Sequence, residues 1–484
     1  MNSANLTDLQ NSLVPNEQDR HDARIETKFN NFAKQFKVAR FLKESGIKKV
    51  NGYLAYTIFM FLLILPFIGK NIYRFFVLHD KRPVQKDAVY TFLKTPNFNW
   101  EKFNLKVSSE AVSYINTLND TGHKSVFIVD DTTFDKSRSS YVELLAKVYD
   151  HVNDVFFKGF RYLTLGWSDG ATFIPVQGRL LSSKEDKNVY NKVQKHLDPR
   201  SLGARRRVEA QTPAPQVMQR MLKSALDAGL RAAAIVFDTW FATYSNIIDC
   251  AKLLPVICMT KVGNNFMYRY KGKKLTAEGI KRELNKSNSR KVSKNKNILA
   301  SVKAALEKYV EVNGKKEKVS VDGKLVFIKN RNEANGWLTL FSTDLSLSDE
   351  EIVKLYAIRW DIETYHKDIK SFLDFERGCQ SIDYDSLTAY TTVVMIRYIF
   401  LNIQKRIDID KRTFGLLFHS VYDELVGLSF EESIILIINN FMTKVKHALE
   451  NNEDVEDAMN EYKENVIKNG IKTVFNTFIF HQFK

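Results

Sequence analysis

Ser125-Val-Phe-Ile-Val-Asp-Asp131 packs four apolar residues in a row and closes on two carboxylates. A run this short, uncharged and rich in β-branched side chains reads as a strand buried on both faces, inside a sheet that is covered on both sides. The pattern recurs at Ala232 to Phe237, which runs directly into Asp238. In an α/β sheet the carboxyl ends of buried strands are where ligand and metal chemistry collects. An isolated Asp in that position serves equally well as a turn residue or helix N-cap. Two such ends in one chain define the first thing to locate.

Working outward, RYLTLGWSDG at 161–170 and TFIPVQGRLL at 172–181 read as two further strands with a turn between them, and Pro255 to Val262 as another. Residues 214–229 carry helical periodicity between strands, so the fold class is α/β. Residues 20–85 are rich in helix formers, and residues 348–376 read as one helix opened by the capping box Ser348-Asp-Glu-Glu. Residues 263–335 differ: KGKK at 271–274, KSNSRKVSKNKN at 286–297 and KLVFIKN at 324–330 suggest a β-containing insertion with a basic flexible segment. The last hundred residues read as helices, among them 386–405 and 430–447.

The chain has 484 residues, 44% hydrophobic and 26% charged, which excludes a mostly disordered protein. Its formal net charge of +16 calls for a polyanionic partner, nucleic acid first and an anionic membrane surface second. Part of that charge lies at Arg205, Arg206 and Arg207 in a basic stretch, 184–212. Cys250, Cys258 and Cys379 form no paired pattern, so neither a disulfide framework nor a Cys-ligated zinc is expected. No signal peptide is recognisable, and a cytoplasmic setting is expected. Val50 to Gly69 holds no charge over twenty residues. Asn51, Gly52 and Pro66 near its ends favour a buried core helix over a membrane span, so no membrane partner is expected.

The segment Tyr356-Ala-Ile-Arg-Trp-Asp-Ile-Glu-Thr-Tyr-His-Lys-Asp-Ile-Lys370 carries the chemistry. On a continuous helix at about 100° per residue, Tyr356, Arg359, Glu363 and Lys370 share a stripe roughly 60° wide, with Asp361 and Asp368 well off it. By spacing alone this is equally an exposed face laced by an Arg359–Glu363 ion pair. Two strand-end Asp and one helical Glu together, however, make a set of hard oxygen ligands suited to Mg²⁺. Two such ions about 4 Å apart activate a water or sugar hydroxyl and stabilise the leaving oxygen in phosphoryl transfer. Trp240 and Trp360, beside these positions, serve either as core packing or as platforms for a displaced base. His366 and His151 read as structural.

These residues resemble the DDE transposases of the insertion-sequence-four group. Tyr356, two residues, Arg359, three residues, Glu363, six residues and Lys370 match that group's Tyr–Arg–Glu–Lys signature in spacing. IVDDTTFDKS at 128–137 and Ile235-Val-Phe-Asp-Thr-Trp-Phe241 are similar to its first-Asp and second-Asp strands. VYDHVNDVFFKGFRYLTLGWSDGATFIPV and RRRVEA are also similar to members of the group, so that the likeness spans residues 120–405.

The resemblance implies a ribonuclease-H-like core, in two parts at 86–262 and 346–385. A β-rich basic insertion would separate them at 263–345. A helical N-terminal domain at 1–85 would bind DNA ends, and 386–484 would be helical. It implies catalytic carboxylates at Asp131, Asp238 and Glu363, which would be the Mg²⁺ ligands, Mn²⁺ substituting. Asp130 and Asp131 both satisfy an Asp-x-Thr pattern and strand parity does not separate them; Asp131 is preferred, with Asp130 kept beside it. It further implies DNA contacts by Tyr356, Arg359 and Lys370, to which we add Trp360 and Arg205–Arg207. The expected activity is cut-and-paste transposition: cleavage at the ends of an insertion sequence, then strand transfer to target DNA, by a homodimer in a bacterial nucleoid. The rivals are a ribonuclease-H-like nuclease without strand transfer and a non-enzymatic DNA-binding protein. All of it fails if Glu363 lies more than a dozen or so ångströms, roughly three times the inter-metal distance, from both strand-end aspartates.

Overall fold

The computed structural model describes residues 28–78, 83–119, 122–150, 153–193, 197–261, 266–286, 297–312, 315–330, 333, 336–407, 412–422, 445 and 449. His151, most of the basic run at 286–297, and the helices expected beyond residue 422 lie outside them. The chain divides into two compact units, one made of Asn104–Ile369 and the other of Met1–Phe103 with Lys370–Lys484.

The 104–369 unit holds a single eleven-stranded sheet. Its strands are β1 (Val126–Asp135), β2 (Ala146–Asp150), β3 (Val155–Ser168), β4 (Phe173–Leu181), β5 (Ala234–Phe237), β6 (Val256–Thr260), β7 (Met267–Tyr270), β8 (Lys273–Thr276), β9 (Ile298–Val312), β10 (Lys315–Lys329) and β11 (Trp337–Ser342). They lie in the order β2-β3-β1-β5-β6-β11-β10-β9-β7-β8, with β4 also on β3. β1 pairs antiparallel with β3 but parallel with β5, and β5 pairs parallel with β6. Taken as β4-β3-β1-β5-β6, this is a ribonuclease-H-like core.

The core strands β1, β5 and β6 read as continuous apolar runs because both their faces are covered: Val126 to Val129 and Ala234 to Phe237 are all buried. Parallel pairing of β1 and β5 needs a long crossover. Between them come the β3–β4 hairpin and the helices Leu202–Ala210 and Ala214–Asp227. The β3–β4 turn is set by Asp169, whose Oδ1 accepts the N–H groups of Ala171 and Thr172, and by Gly170 at φ +83°, a left-handed position that favours glycine.

The β-rich insertion after β6 does not stand apart. Its last strand, β11, pairs antiparallel with β6, so the long β9–β10 hairpin and the β7–β8 pair extend the core sheet edgewise. A 15-residue β10 replaces the short strand expected at 324–330.

The expected single helix over 348–376 is two: Asp349–Ala357 and Trp360–Phe372. The capping box at Ser348 is present as read, with Glu351 returning to the Ser348 N–H. The break at Ile358–Arg359 contains neither Gly nor Pro. It is a tightened turn in which the N–H groups of Arg359, Asp361 and Ile362 each bond three residues back. A stripe drawn at a constant 100° therefore does not run through Tyr356 to Lys370.

The helical unit includes Ala55–Ile64, which passes at once into the 3-10 turn Leu65–Ile68. Pro66 has no N–H to offer the Leu62 carbonyl. The fully buried Arg397, on the helix Tyr384–Ile407, supplies the missing donors, to Leu62 at 2.5 Å, Leu63 at 3.2 Å and Leu373 at 2.9 Å. The apolar stretch 50–69 is thus a short buried helix and its cap. Among the described residues one helix, Tyr384–Ile407, is long and apolar enough to cross a membrane, and 89% of its apolar window is buried within the protein.

Candidate active site

The sheet register brings the strand-end acids together. Val129 pairs with Phe237 across β1 and β5, so Asp130 and Asp238 occupy the next equivalent positions on adjacent strands. Neighbouring strands lie about 4.8 Å apart, and residues in register face the same side. Asp130 and Asp238 therefore share one face and Asp131 points to the other. There Asp131 is gripped by Arg161 of β3 through two bonds, Nε to Oδ2 at 2.5 Å and Nη2 to Oδ1 at 2.7 Å. Parity within β1 leaves the choice between the two aspartates open; pairing with β5 separates them.

The Glu363 helix lies on the Asp130 face. His366 Nε2 sits 3.2 Å from Thr164 Oγ1, and Thr164 is the register partner of Asp130 on β3. Asp361 is held off the site by Ser168, whose hydroxyl donates to it at 2.5 Å, and Asp368 is buried. Arg359 joins the acids. Its Nη1 lies 3.6 Å from Asp130 Oδ2 and its Nη2 2.5 Å from Glu363 Oε1. One planar guanidinium spans both carboxylates, which puts them within about 9 Å of each other. The convergence required of Glu363 is met at Asp130.

The electrostatics follow from this crowding. Burial pushes the Asp130 carboxyl up to about 7, and the like charges of Asp131 and Asp238 push the same way. The Asp131 N–H, donated to Asp130 Oδ1 at 2.8 Å, and Arg359 oppose the rise without cancelling it. Tyr356 packs beside Arg359, its ring 5.9 Å from the guanidinium carbon, and its hydroxyl is buried. Burial raises that phenol, with Asp238 contributing and Arg359 opposing.

The remaining positions separate. Trp360 is 63% exposed with Arg359 against its ring. Trp240 is 51% exposed, with the Arg161 guanidinium 5.0 Å from its ring, and forms part of the wall of an open cleft of about 410 Å³ lined also by Tyr149, Lys147 and Lys184. The Trp240 backbone N–H donates to Asp238 Oδ1 at 2.9 Å. Lys370, seven residues beyond Glu363 in sequence, belongs to the helical unit and pairs with Glu376 at 3.5 Å. Arg205 is exposed and Arg206 half-buried. Arg207 needs correction as a DNA contact: it is buried and bidentate to Glu143, at 2.8 and 2.7 Å, so its donors are not available to a phosphate.

Sequence reasoning missed Arg161. The signal was available, since it is a charge within a strand whose following residues are nearly all apolar, but its target becomes visible only when β1 and β3 are paired.

Among the described residues no three His, Cys, Asp or Glu side chains stand close enough together to hold a metal ion. The donor chemistry nevertheless fits a hard divalent cation. Asp130, Asp238 and Glu363 are carboxylates with oxygen to spare, the first is raised by burial and then by its acidic neighbours, and the cation now between two of them is a side chain.

Residues 73–303, a little under half of the chain, match a family model described as DDE superfamily endonuclease. The match takes in Asp130, Asp131, Asp238 and the strands that carry them, and supports a nuclease of the DDE type. It stops short of Glu363. No curated protein matches the chain. One matching solved structure is the Drosophila P element transposase strand transfer complex, 15% identical over 35% of this chain, with a TM-score of 0.11. The match covers 36% of that structure's chain. A likeness of that size carries no weight for the fold.

Proposed function

We propose that this chain is a transposase-type endonuclease that cuts DNA by metal-dependent phosphoryl transfer, with Asp130, Asp238 and Glu363 as its carboxylate set. The observation that carries the reading is the shared face of Asp130 and Asp238, just past the last paired residues of the parallel strands β1 and β5, with Glu363 tied to Asp130 through Arg359. Asp130 takes the place that Asp131 held in the sequence reading, because Asp131 is engaged by Arg161 on the opposite face. Asp131 is then a positioning residue: its bidentate pair ties β1 to β3 at this point, and its N–H orients the Asp130 carboxylate.

Those three carboxylates would hold the divalent cations, and Mg²⁺, or Mn²⁺ in its place, supplies Lewis-acid activation of a water or 3′-hydroxyl and stabilises the leaving oxygen. Arg359, released from Asp130, is free to grip a backbone phosphate bidentately, with Tyr356 behind it. Trp360 extends the contact along the strand, Arg205 and Arg206 add long-range attraction, and Lys370 is kept as a phosphate contact on the resemblance alone. Joining of the freed 3′-end to target DNA, recognition of element ends by the N-terminal region, and pairing of two protomers on DNA belong to the same proposal.

The test uses supercoiled plasmid and the full chain with Mg²⁺ or Mn²⁺. Nicking is expected, reduced by at least about a hundredfold in Asp130→Asn, Asp238→Asn and Glu363→Gln. Full activity in Glu363→Gln would sink the assignment. Nicking without any joining of 3′-ends would reduce the function to a nuclease, and metal-independent duplex binding without nicking would leave a DNA-binding protein.

A further inference from the structure

We propose that a row of three lysines on β1, β3 and β2 is a second DNA-backbone contact, separate from the helix that carries Arg359 and Glu363. Lys158 stands directly opposite Lys147 in the β2–β3 register. Lys136, one residue past β1, donates its N–H to the Lys158 carbonyl at 2.9 Å and so continues the row on the other side. Residues in register face one side, so three ammonium-bearing stems lie side by side across roughly 10 Å, two strand spacings.

Like charges directly opposite one another destabilise a sheet. Neither Lys147 nor Lys158 has a carboxylate partner among the described residues. Each ammonium lies against an aromatic ring instead: Lys147 is 4.2 Å from the centre of Phe156 and Lys158 is 5.3 Å from that of Tyr190. Both rings are more than half exposed, Phe156 at 61% and Tyr190 at 51%, and Tyr149 packs beside Phe156. An ammonium held over an exposed ring keeps its charge and its access to an anion from solvent. The chain's +16 charge points the same way.

Position makes the partner specific. Alternation along β1 puts Lys136 on the face of Asp130, six residues further on, or at most about 20 Å away. B-form DNA advances 3.4 Å per nucleotide along one strand, so the row would meet phosphates up to about six nucleotides from the bond being cut. The inference rests on the reading of the Asp130 face as the cutting site.

The experiment measures binding of a random-sequence DNA duplex several turns long, without divalent metal, between about 50 and 200 mM salt. It compares the wild-type chain, the triple variant Lys136→Ala, Lys147→Ala, Lys158→Ala, and the control Lys252→Ala, an exposed lysine paired with Asp249. Circular dichroism and thermal melting establish that each is folded. The triple variant should lower the slope of log affinity against log salt by close to 3, about 0.9 for each phosphate that is no longer neutralised, and the control should leave it unchanged. In a separate reaction with Mg²⁺ on an end-labelled duplex that the wild type nicks, phosphate-ethylation interference should disappear in the triple variant only at the positions within about six nucleotides of the cut. An unaltered slope, an equal drop in the control, or a defect confined to anionic vesicles would overturn the lysine row. If the wild type never nicks DNA and the slope still falls, the row stands and the cutting site fails. If it nicks and the slope is unmoved, the reverse holds.

Discussion

Replacing Asp130 by Asn should make the metal-free protein more stable at pH 8 and leave it nearly unaffected at pH 4. The folded carboxyl titrates near 7 against 3.8 in its ordinary state, chiefly through burial and then through its neighbours Asp131 and Asp238. Between those two values the folded chain holds a proton that the unfolded chain has released. Stability therefore falls as pH rises across that window, and no further once the folded group has ionised. Roughly three pH units at about 1.4 kcal/mol each set a ceiling near 4 kcal/mol. Partial exposure of the side chain, 18%, and relaxation around the charge bring the expected gain to about 2 kcal/mol. The Asn amide oxygen can still accept the Asp131 N–H, and Glu363 still engages Arg359, so little else changes. Urea midpoints at pH 4 and pH 8, with metal chelated, measure the effect. Asp131→Asn should behave in the opposite sense, destabilising at pH 8 because it weakens the grip of Arg161. Added Mg²⁺ should stabilise the wild type and not Asp130→Asn. If the two variants respond alike, or if the Asp130→Asn gain is the same at both pH values, the separation of the two aspartates is wrong.

Arg207→Met takes the bidentate guanidinium away from the buried Glu143 carboxylate, both side chains being almost wholly inside, so a loss of about 3–5 kcal/mol is expected by denaturant titration. Adding Glu143→Leu to it should restore most of that loss, since an apolar pair does not carry the desolvation cost; no recovery would mean that packing, not charge, is responsible. Arg397→Met removes the donors to the carbonyls of Leu62 and Leu63 before Pro66 and to that of Leu373, for about 3 kcal/mol or more, and amide exchange should accelerate in Ala55–Ile64 before it does in β1.

What could be read from the sequence was set by how local the determinant is. VFIV at 126–129 and AIVF at 234–237 declare themselves as buried strands because both faces are covered and no alternation interrupts them. Ser348 and Glu351 fix a helix start within four residues, and that too is legible. The choice between Asp130 and Asp131 is not local: it depends on which strand lies alongside and in which register, and β5 is about a hundred residues away. The break before Trp360 has no Gly or Pro to announce it, and shows only in the backbone hydrogen bonds that reach three residues back. The triplet Arg205, Arg206, Arg207 shows the same limit from the other side. All three count alike toward net charge, but a helix turns them to different surroundings, and Arg207 is held inside against Glu143.

The position of Arg359 then bears on how the site works as a whole. Burial raises the Asp130 carboxyl, and the neighbouring charges of Asp131 and Asp238 add to the rise. Folding without a cation there needs a positive group on the spot, and Arg359 is placed by the tightened turn to bridge Asp130 and Glu363 at once. A lysine could not do so, having a single point of charge at the end of its stem. The residue that balances the acids in the metal-free chain is thus the one proposed to hold the phosphate in the loaded one. If the proposed cation were held between Asp130 and Glu363, Arg359 would lose its reason to stay, and a phosphate beside it would supply a reason to leave. Metal and DNA should on this reasoning favour each other's binding through one side chain, with no movement of the sheet required.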